Sequence, residues 1–212
     1  STKLNLLDVG SIAALTSSQV TGFITTQIAG LSNSTLELLN TTSVAALLTT
    51  QIAALTTSQA YSLTEKTVKA FTSIQIGALS TSAINVLTYE NLAALKTDQV
   101  KGLTTNQIAA LSTQQVYDLN TATLVSLSTT QIAALETRDV AVLTYENILA
   151  LKTEQLQALS SSQIAGLSSK QVYDLTTTSL TNLTTSQITY LETSDLNVLS
   201  VESLAALKTQ QL

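Results

Sequence analysis

Leu103-Thr104-Thr105-Asn106-Gln107-Ile108-Ala109-Ala110-Leu111 holds the pattern that organises the whole chain. Every eighth residue from Leu7 to Leu207 is Leu, with only Phe23 and Phe71 as exceptions. A second apolar column runs in step from Leu4 and Ile12 to Leu204 and Leu212, with Ala60 its weakest member. The register never slips, so the chain is one octapeptide repeated end to end. In such an array each unit touches only its neighbours, and the product is a solenoid or a surface.

The two columns stand three residues apart within an octad and five apart across the junction. A spacing of three puts both side chains on one helical face, whereas a strand would place them on opposite faces. Gln, Ala and Leu favour helix. The opening Ser/Thr-x-x-Gln is a capping box, as in Thr104 with Gln107, Ser112 with Gln115 and Ser160 with Gln163. One continuous helix is excluded, because eight residues turn through about 800°, about 80° beyond two turns, and the apolar stripe would circle the axis. The pattern therefore predicts an all-α solenoid of short helices, roughly five to seven residues each, broken at the paired Ser/Thr of every junction. A β-solenoid is the alternative. Small residues between the columns (Ala109-Ala110, Ala133-Ala134, Gly166) suit close backbone approach, although helix propensity accounts for the alanines equally well.

The array spans residues 1–212 as a single unit of organisation. A longer period lies above the octad: Thr88-Tyr89-Glu90-Asn91 recurs at Thr144-Tyr145-Glu146-Asn147, and Gln115-Val116-Tyr117-Asp118-Leu119 at Gln171-Val172-Tyr173-Asp174-Leu175. Superunits of seven octads run approximately 32–87, 88–143 and 144–199, with a partial copy at 200–212. Segmental duplication is the simplest origin. Tyr61, Tyr89, Tyr117, Tyr145 and Tyr173 also fall every 28 residues. A coil of about 3.5 octads would align them as a ladder; duplication of two tyrosines yields the same spacing. Residues 1–31 are less regular, with Asp8-Val9-Gly10 and the out-of-pattern Ile24. Both ends cut through an octad, so Leu4 and Leu212 are expected to be exposed apolar column residues that favour end-to-end assembly or continuation in a longer array.

Composition bounds the chemistry. The chain is 44% hydrophobic but only 11% charged, with net charge −5 and pI near 4.6. The acidity and the absence of a basic cluster argue against a nucleic-acid partner. No apolar run approaches the roughly 20 residues of a membrane span. The sequence contains no Cys and no His, which removes disulfides, thiolate or imidazole metal ligands and imidazole bases. No catalytic, cofactor or metal site is expected, and the chain is not read as an enzyme. Asp118 and Asp174, and the pairs Glu136/Asp139 and Glu192/Asp195, are assigned to solvent positions of the octad. Asn33, Asn40 and Asn182 sit in Asn-x-Ser/Thr sequons.

The string Leu103 to Leu111 resembles the LTTxQIxAL repeats of very long, repetitive bacterial secreted or surface proteins, many of them adhesin-like or filament-like. The resemblance covers nearly the whole chain and implies an extracellular or cell-surface setting. A shorter likeness, at Leu15-Thr16-Ser17-Ser18-Gln19-Val20, to the opening helix of TAL-effector repeats fails: the period is too short, the base-reading loop is missing and the chain is acidic.

These readings converge on a structural protein, a filament, stalk or spacer that associates with itself or belongs to a longer array. The alternative is a scaffold binding a cell-surface or matrix protein or a glycan, for which the candidate surface is Tyr61, Tyr117, Asp118, Tyr173 and Asp174. The departures from the octad (Tyr61, Tyr117, Tyr173, Lys69, Lys101) are scattered and periodic, which favours the spacer. Regular Thr rows also suit an ice-binding surface, but they are interrupted by Lys96, Lys152, Lys208, Glu136 and Glu192.

Overall fold

The computed structural model describes residues 4–211. Among them the only regular structure is helix: 25 α-helices of four to six residues and two 3-10 turns, Leu4–Leu6 and Thr209–Gln211. The chain is an all-α solenoid of short helices, one per octad, as the three-residue column spacing predicts. It forms two compact units, Ser1–Leu111 and Ser112–Leu212.

The break between the helices Thr97–Gly102 and Thr105–Ala109 is made by two extended residues. Leu103 (φ −62°, ψ 133°) leaves the helix Thr97–Gly102, and Thr104 (φ −78°, ψ 159°) caps the helix Thr105–Ala109. The break therefore sits one residue earlier than the Ser/Thr pair, at the Leu–Ser/Thr junction, because an N-cap must be extended while the second Thr is already helical. No described residue has positive φ. The repeat thus reverses direction without glycine, and a Leu can serve both as the exit and as a core residue.

The boxes form as expected. Thr104 N–H donates to Gln107 Oε1 at 2.7 Å, and Gln107 N–H to Thr104 Oγ1 at 3.2 Å. Ser112 with Gln115 and Ser160 with Gln163 do the same.

Both apolar columns are buried through the body of each unit: Ile108 and Leu111 are 1% and 2% exposed, Ile132 and Leu135 0% and 3%. Even Ala60 is sealed. At the edges of the described chain the columns emerge: Leu4 is half-buried and Leu7 exposed. Leu212 lies outside the described residues.

A third buried column is polar, and its inter-coil role is not visible in the octad. The Gln at the third helical position is buried in every described octad from Gln51 onward that carries it. Its Oε1 caps its own helix, while its Nε2 reaches back one coil. Gln107 Nε2 donates to Leu79 O at 2.7 Å and to Ile76 O at 2.8 Å; in the second unit, Gln187 donates to Leu159 O at 2.8 Å and Leu156 O at 2.9 Å. These carbonyls lie in or next to the last turn of an earlier helix, where acceptors lack intrahelical partners. One amide thus satisfies the start of one helix and the end of another. The reach of 28 residues recurs from Gln51 to Phe23 and from Gln211 to Leu183, so within each unit one coil is 3.5 octads. Within each unit, packed helices stand three apart in chain order, as Ser73–Ala78 and Thr97–Gly102 do.

Where Gln is absent the column improvises. Asn91 and Asn147 reach only the nearer carbonyl, Leu63 O at 2.8 Å and Leu119 O at 3.0 Å. At Ser43 the preceding cap helps, Asn40 Nδ2 donating to Ala13 O and Leu15 O. In two octads that keep their Gln, the N-cap lysines Lys96 and Lys152 add a bond, sending their ammoniums to Lys69 O at 2.9 Å and Val125 O at 3.0 Å, which places cations at helix C-termini where the helix dipole favours them. No described buried side-chain nitrogen or oxygen is left without a partner.

Close backbone approach occurs, though not where the alanines suggest. Ala133 is exposed, so helix propensity is its fitting account. The approach is between the helices Ser73–Ala78 and Thr97–Gly102: a Cβ on Gly77 would stand 2.7 Å from Gly102 O, and one on Gly102 would overlap the Ser73 backbone. At Gly166 the obstacle is the Thr137 methyl, a side chain able to rotate. Gly102→Ala is therefore expected to destabilise the first unit by about 1–3 kcal/mol through overpacking, and Gly166→Ala by less. Urea melts of the two variants check the order.

Candidate functional site

The candidate residues divide between the two units. In the second, Tyr117 closes the helix Thr113–Tyr117, Tyr145 opens Tyr145–Ala150, and Tyr173 lies in Ser169–Asp174. Tyr117 and Tyr173 share one octad position and Tyr145 occupies another, because a coil is not a whole number of octads. The coil brings them into line: Asn147 Nδ2 on Leu119 O ties residues two beyond Tyr145 and Tyr117, and Gln171 Nε2 on Leu143 O ties residues two before Tyr173 and Tyr145. Their 28-residue spacing is therefore one coil within this unit. All three rings stand out from the surface, 53%, 48% and 65% exposed.

Each of these tyrosines is followed by an acid. Asp118 Oδ2 accepts from Gln114 Nε2 at 2.8 Å. Asp174 is paired with Lys170 at 2.9 Å, and its side chain is only 8% exposed against 78% for the lysine. Glu146 is exposed. The Lys170 ammonium also lies 6.0 Å from the Tyr145 ring centre, within cation–π range. Asp174 holds the Lys170 pKa above its ordinary value, first by the hydrogen bond and then by charge.

Tyr61, the remaining candidate, belongs to the first unit, where it is 65% exposed; Tyr89 follows one coil later at 49%. The Asn91–Leu63 bond fixes that pair in the same register. Tyr89 and Tyr145 belong with the candidates, and the 28-residue spacing is the sequence signal that marks them.

The carboxylate pairs require a correction. Asp139 and Asp195 are 0% and 3% exposed and occupy the buried polar column, not solvent positions. Each stands where Gln usually does, accepting the N-cap amide of Glu136 (3.2 Å) or Glu192 (3.1 Å) on one oxygen and a hydroxyl from the preceding coil, Thr113 (3.3 Å) or Ser169 (2.9 Å), on the other. They are helix caps. Desolvation raises the Asp139 pKa above the ordinary 3.8, opposed by the Glu136 amide, the Thr113 hydroxyl and the Arg138 charge. The folded state therefore holds its proton more tightly than the unfolded chain does. Stability falls as pH rises from 3.8 through the raised value. Asp139→Asn is expected to flatten that part of the profile and to add about 1 kcal/mol at neutral pH, since an amide carries no charge to desolvate. Melting temperatures from pH 3 to 8 check both.

Among the described residues no group of three or more His, Cys, Asp or Glu side chains is placed to hold a metal ion. The sequon amides are engaged: Asn33 with Ser62 Oγ at 2.6 Å, Asn40 with two carbonyls, Asn182 with Thr153 Oγ1 at 3.1 Å. A surface groove of about 650 Å³ in the first unit is lined by Lys66, Lys69 and Lys96. Two of its ammoniums are taken, Lys69 by Glu65 and Lys96 by Lys69 O.

Among known proteins, the family model described as the ALTTAQ repeat matches residues 86–120 and 146–177, stretches that include Tyr89, Tyr117 and Tyr173. No curated protein matches the chain. The family match supports a repeat-based family. No described helix is long and apolar enough to cross a membrane.

Proposed function

We propose that this chain is a structural repeat protein, an extracellular filament, stalk or spacer that self-assembles or forms part of a longer array. The observation that carries the reading is one Gln joint that recurs along both units. The Gln at the third helical position reaches back about one coil with its Nε2, 28 to 31 residues, as at Gln59, Gln99, Gln155 and Gln187. A molecule made of one repeated joint gains length by adding copies, with no change to the copies already present. Its cores are local, so tension is borne coil by coil. The placement outside a bacterial cell rests on the resemblance to LTTxQIxAL repeats.

Single-molecule stretching of the full chain tests the mechanical reading. Each released coil frees 28 residues, an extension of about 90–100 Å. The expected record is a series of such steps at low force, reversible on relaxation. One high-force rupture releasing most of the chain at once would overturn the proposal. Sedimentation velocity across micromolar concentrations separates its two forms: concentration-dependent growth marks a filament, and a constant monomer marks a segment of a covalent array.

A further inference from the structure

We propose that the tyrosine ladder of the second unit, Tyr117, Tyr145 and Tyr173, binds a neutral, extended β-1,4-linked polysaccharide along its length. This activity goes beyond the spacer reading and does not depend on it. The rings are about half exposed or more, so burial does not explain their presence. They are held in register by the Asn147–Leu119 and Gln171–Leu143 hydrogen bonds, which fixes their spacing at one coil. Stacked helices lie about 8–10 Å apart. That rise is close to the length of one disaccharide in an extended β-1,4 chain, so successive rings meet chemically equivalent sugar faces.

The surroundings select the ligand class. Asp118, bonded only to the neutral Gln114 amide, and the exposed Glu146 follow two of the rings and repel a polyanion. A polycation meets the exposed Lys170 ammonium, 6.0 Å from the Tyr145 ring centre and already paired with Asp174 at 2.9 Å. What remains is an aromatic face for sugar C–H groups beside oriented oxygens and amides for hydroxyls. A repeated array of weak contacts suits a polymer, since each further ring binds intramolecularly.

The chain contains six Tyr and no Trp, so intrinsic fluorescence reports on tyrosine alone. The test titrates the full chain with cellohexaose, chitohexaose and the corresponding disaccharides. Saturable binding is expected, with a hexasaccharide at least tenfold tighter than its disaccharide. Tyr145→Ala should weaken it about three- to tenfold. Tyr190→Ala, also at an exposed ring (53%) but off the 28-residue spacing, should leave it unchanged. Preference between the two hexasaccharides tells whether the acetamido group is read. No saturable change with either hexasaccharide would overturn the proposal. So would equal affinity for hexasaccharide and disaccharide, an equal loss in Tyr190→Ala, or binding abolished by 0.5 M salt, which would mark an ionic ligand instead. All the substituted rings are exposed, and an unchanged circular dichroism spectrum verifies that each variant is folded.

Discussion

Gln107→Leu is expected to cost the first unit about 1–3 kcal/mol, although the residue belongs to neither apolar column and forms no ion pair. The side chain is 2% exposed and its amide serves three backbone groups: it accepts from Thr104 N–H and donates to Ile76 O and Leu79 O. Leucine fits the volume and satisfies none of them. A buried backbone group left without a partner costs about 1–3 kcal/mol, and two of the three have an alternative: Ile76 O still accepts from Leu79 N–H at 3.2 Å, and Thr104 N–H is near the surface. Gln107→Asn should fall between, because Asn91 shows that the shorter amide reaches the nearer carbonyl only. Gln107→Glu retains the acceptor but turns a carboxylate toward two carbonyls, so its loss should exceed that of Leu at neutral pH and shrink on acidification. Chemical denaturation followed by far-ultraviolet circular dichroism ranks the three. A Leu variant as stable as the parent would show that the polar column is ornamental.

Leu135→Ala should cost about 2–5 kcal/mol in the second unit. Leu135 is 3% exposed and its carbonyl receives Gln163 Nε2 at 2.6 Å. Truncation therefore opens a cavity beside the joint to the next coil. Because the array is nearly one-dimensional, the loss should be local. Hydrogen exchange is expected to accelerate in the octads of Leu135 and of Gln163, one coil on, and to stay slow near Leu191. Uniform acceleration across the second unit would mean that it melts as one block.

Much of the fold is legible in single octads, because helix period, capping chemistry and the failure of a continuous helix are local properties. Ile108, Leu111, Ile132 and Leu135 are identified as core by spacing alone. The coil length is not local. It depends on how far a Gln amide can reach, and that distance appears in the sequence only indirectly, as the 28-residue spacing of the tyrosines. The seven-octad superunit then gains a physical reason. Fifty-six residues is the shortest length that is a whole number of both octads and coils, so a duplication of that size preserves helix register and position around the coil together. The octad reading puts Asp139 and Asp195 at solvent positions, yet they stand in the column that Gln otherwise holds and are buried. A short side chain bonded to an N-cap amide can remain buried there. Gly77 and Gly102 carry no periodic signal, as their need arises from one helix pair. The tyrosine surface is legible as a spacing, but its exposure and its paired carboxylates become visible only once the coil is known.

Twenty-eight residues close one coil within each unit. The chain contains no Cys, so pairs of introduced cysteines can carry spin labels without background. Thr129, Gln157 and Thr185 are exposed positions in the second unit spaced by 28 residues, and Ala141, also exposed, lies less than half a coil beyond Thr129. Pulsed electron–electron resonance is expected to give a shorter distance for 129–157 than for 129–141, despite the longer intervening chain, and a 129–185 distance longer than 129–157 by about 8–10 Å, one layer of packed helices. Distances that simply increase with the number of residues between the labels would contradict the coil, and with it the repeated joint on which the account rests.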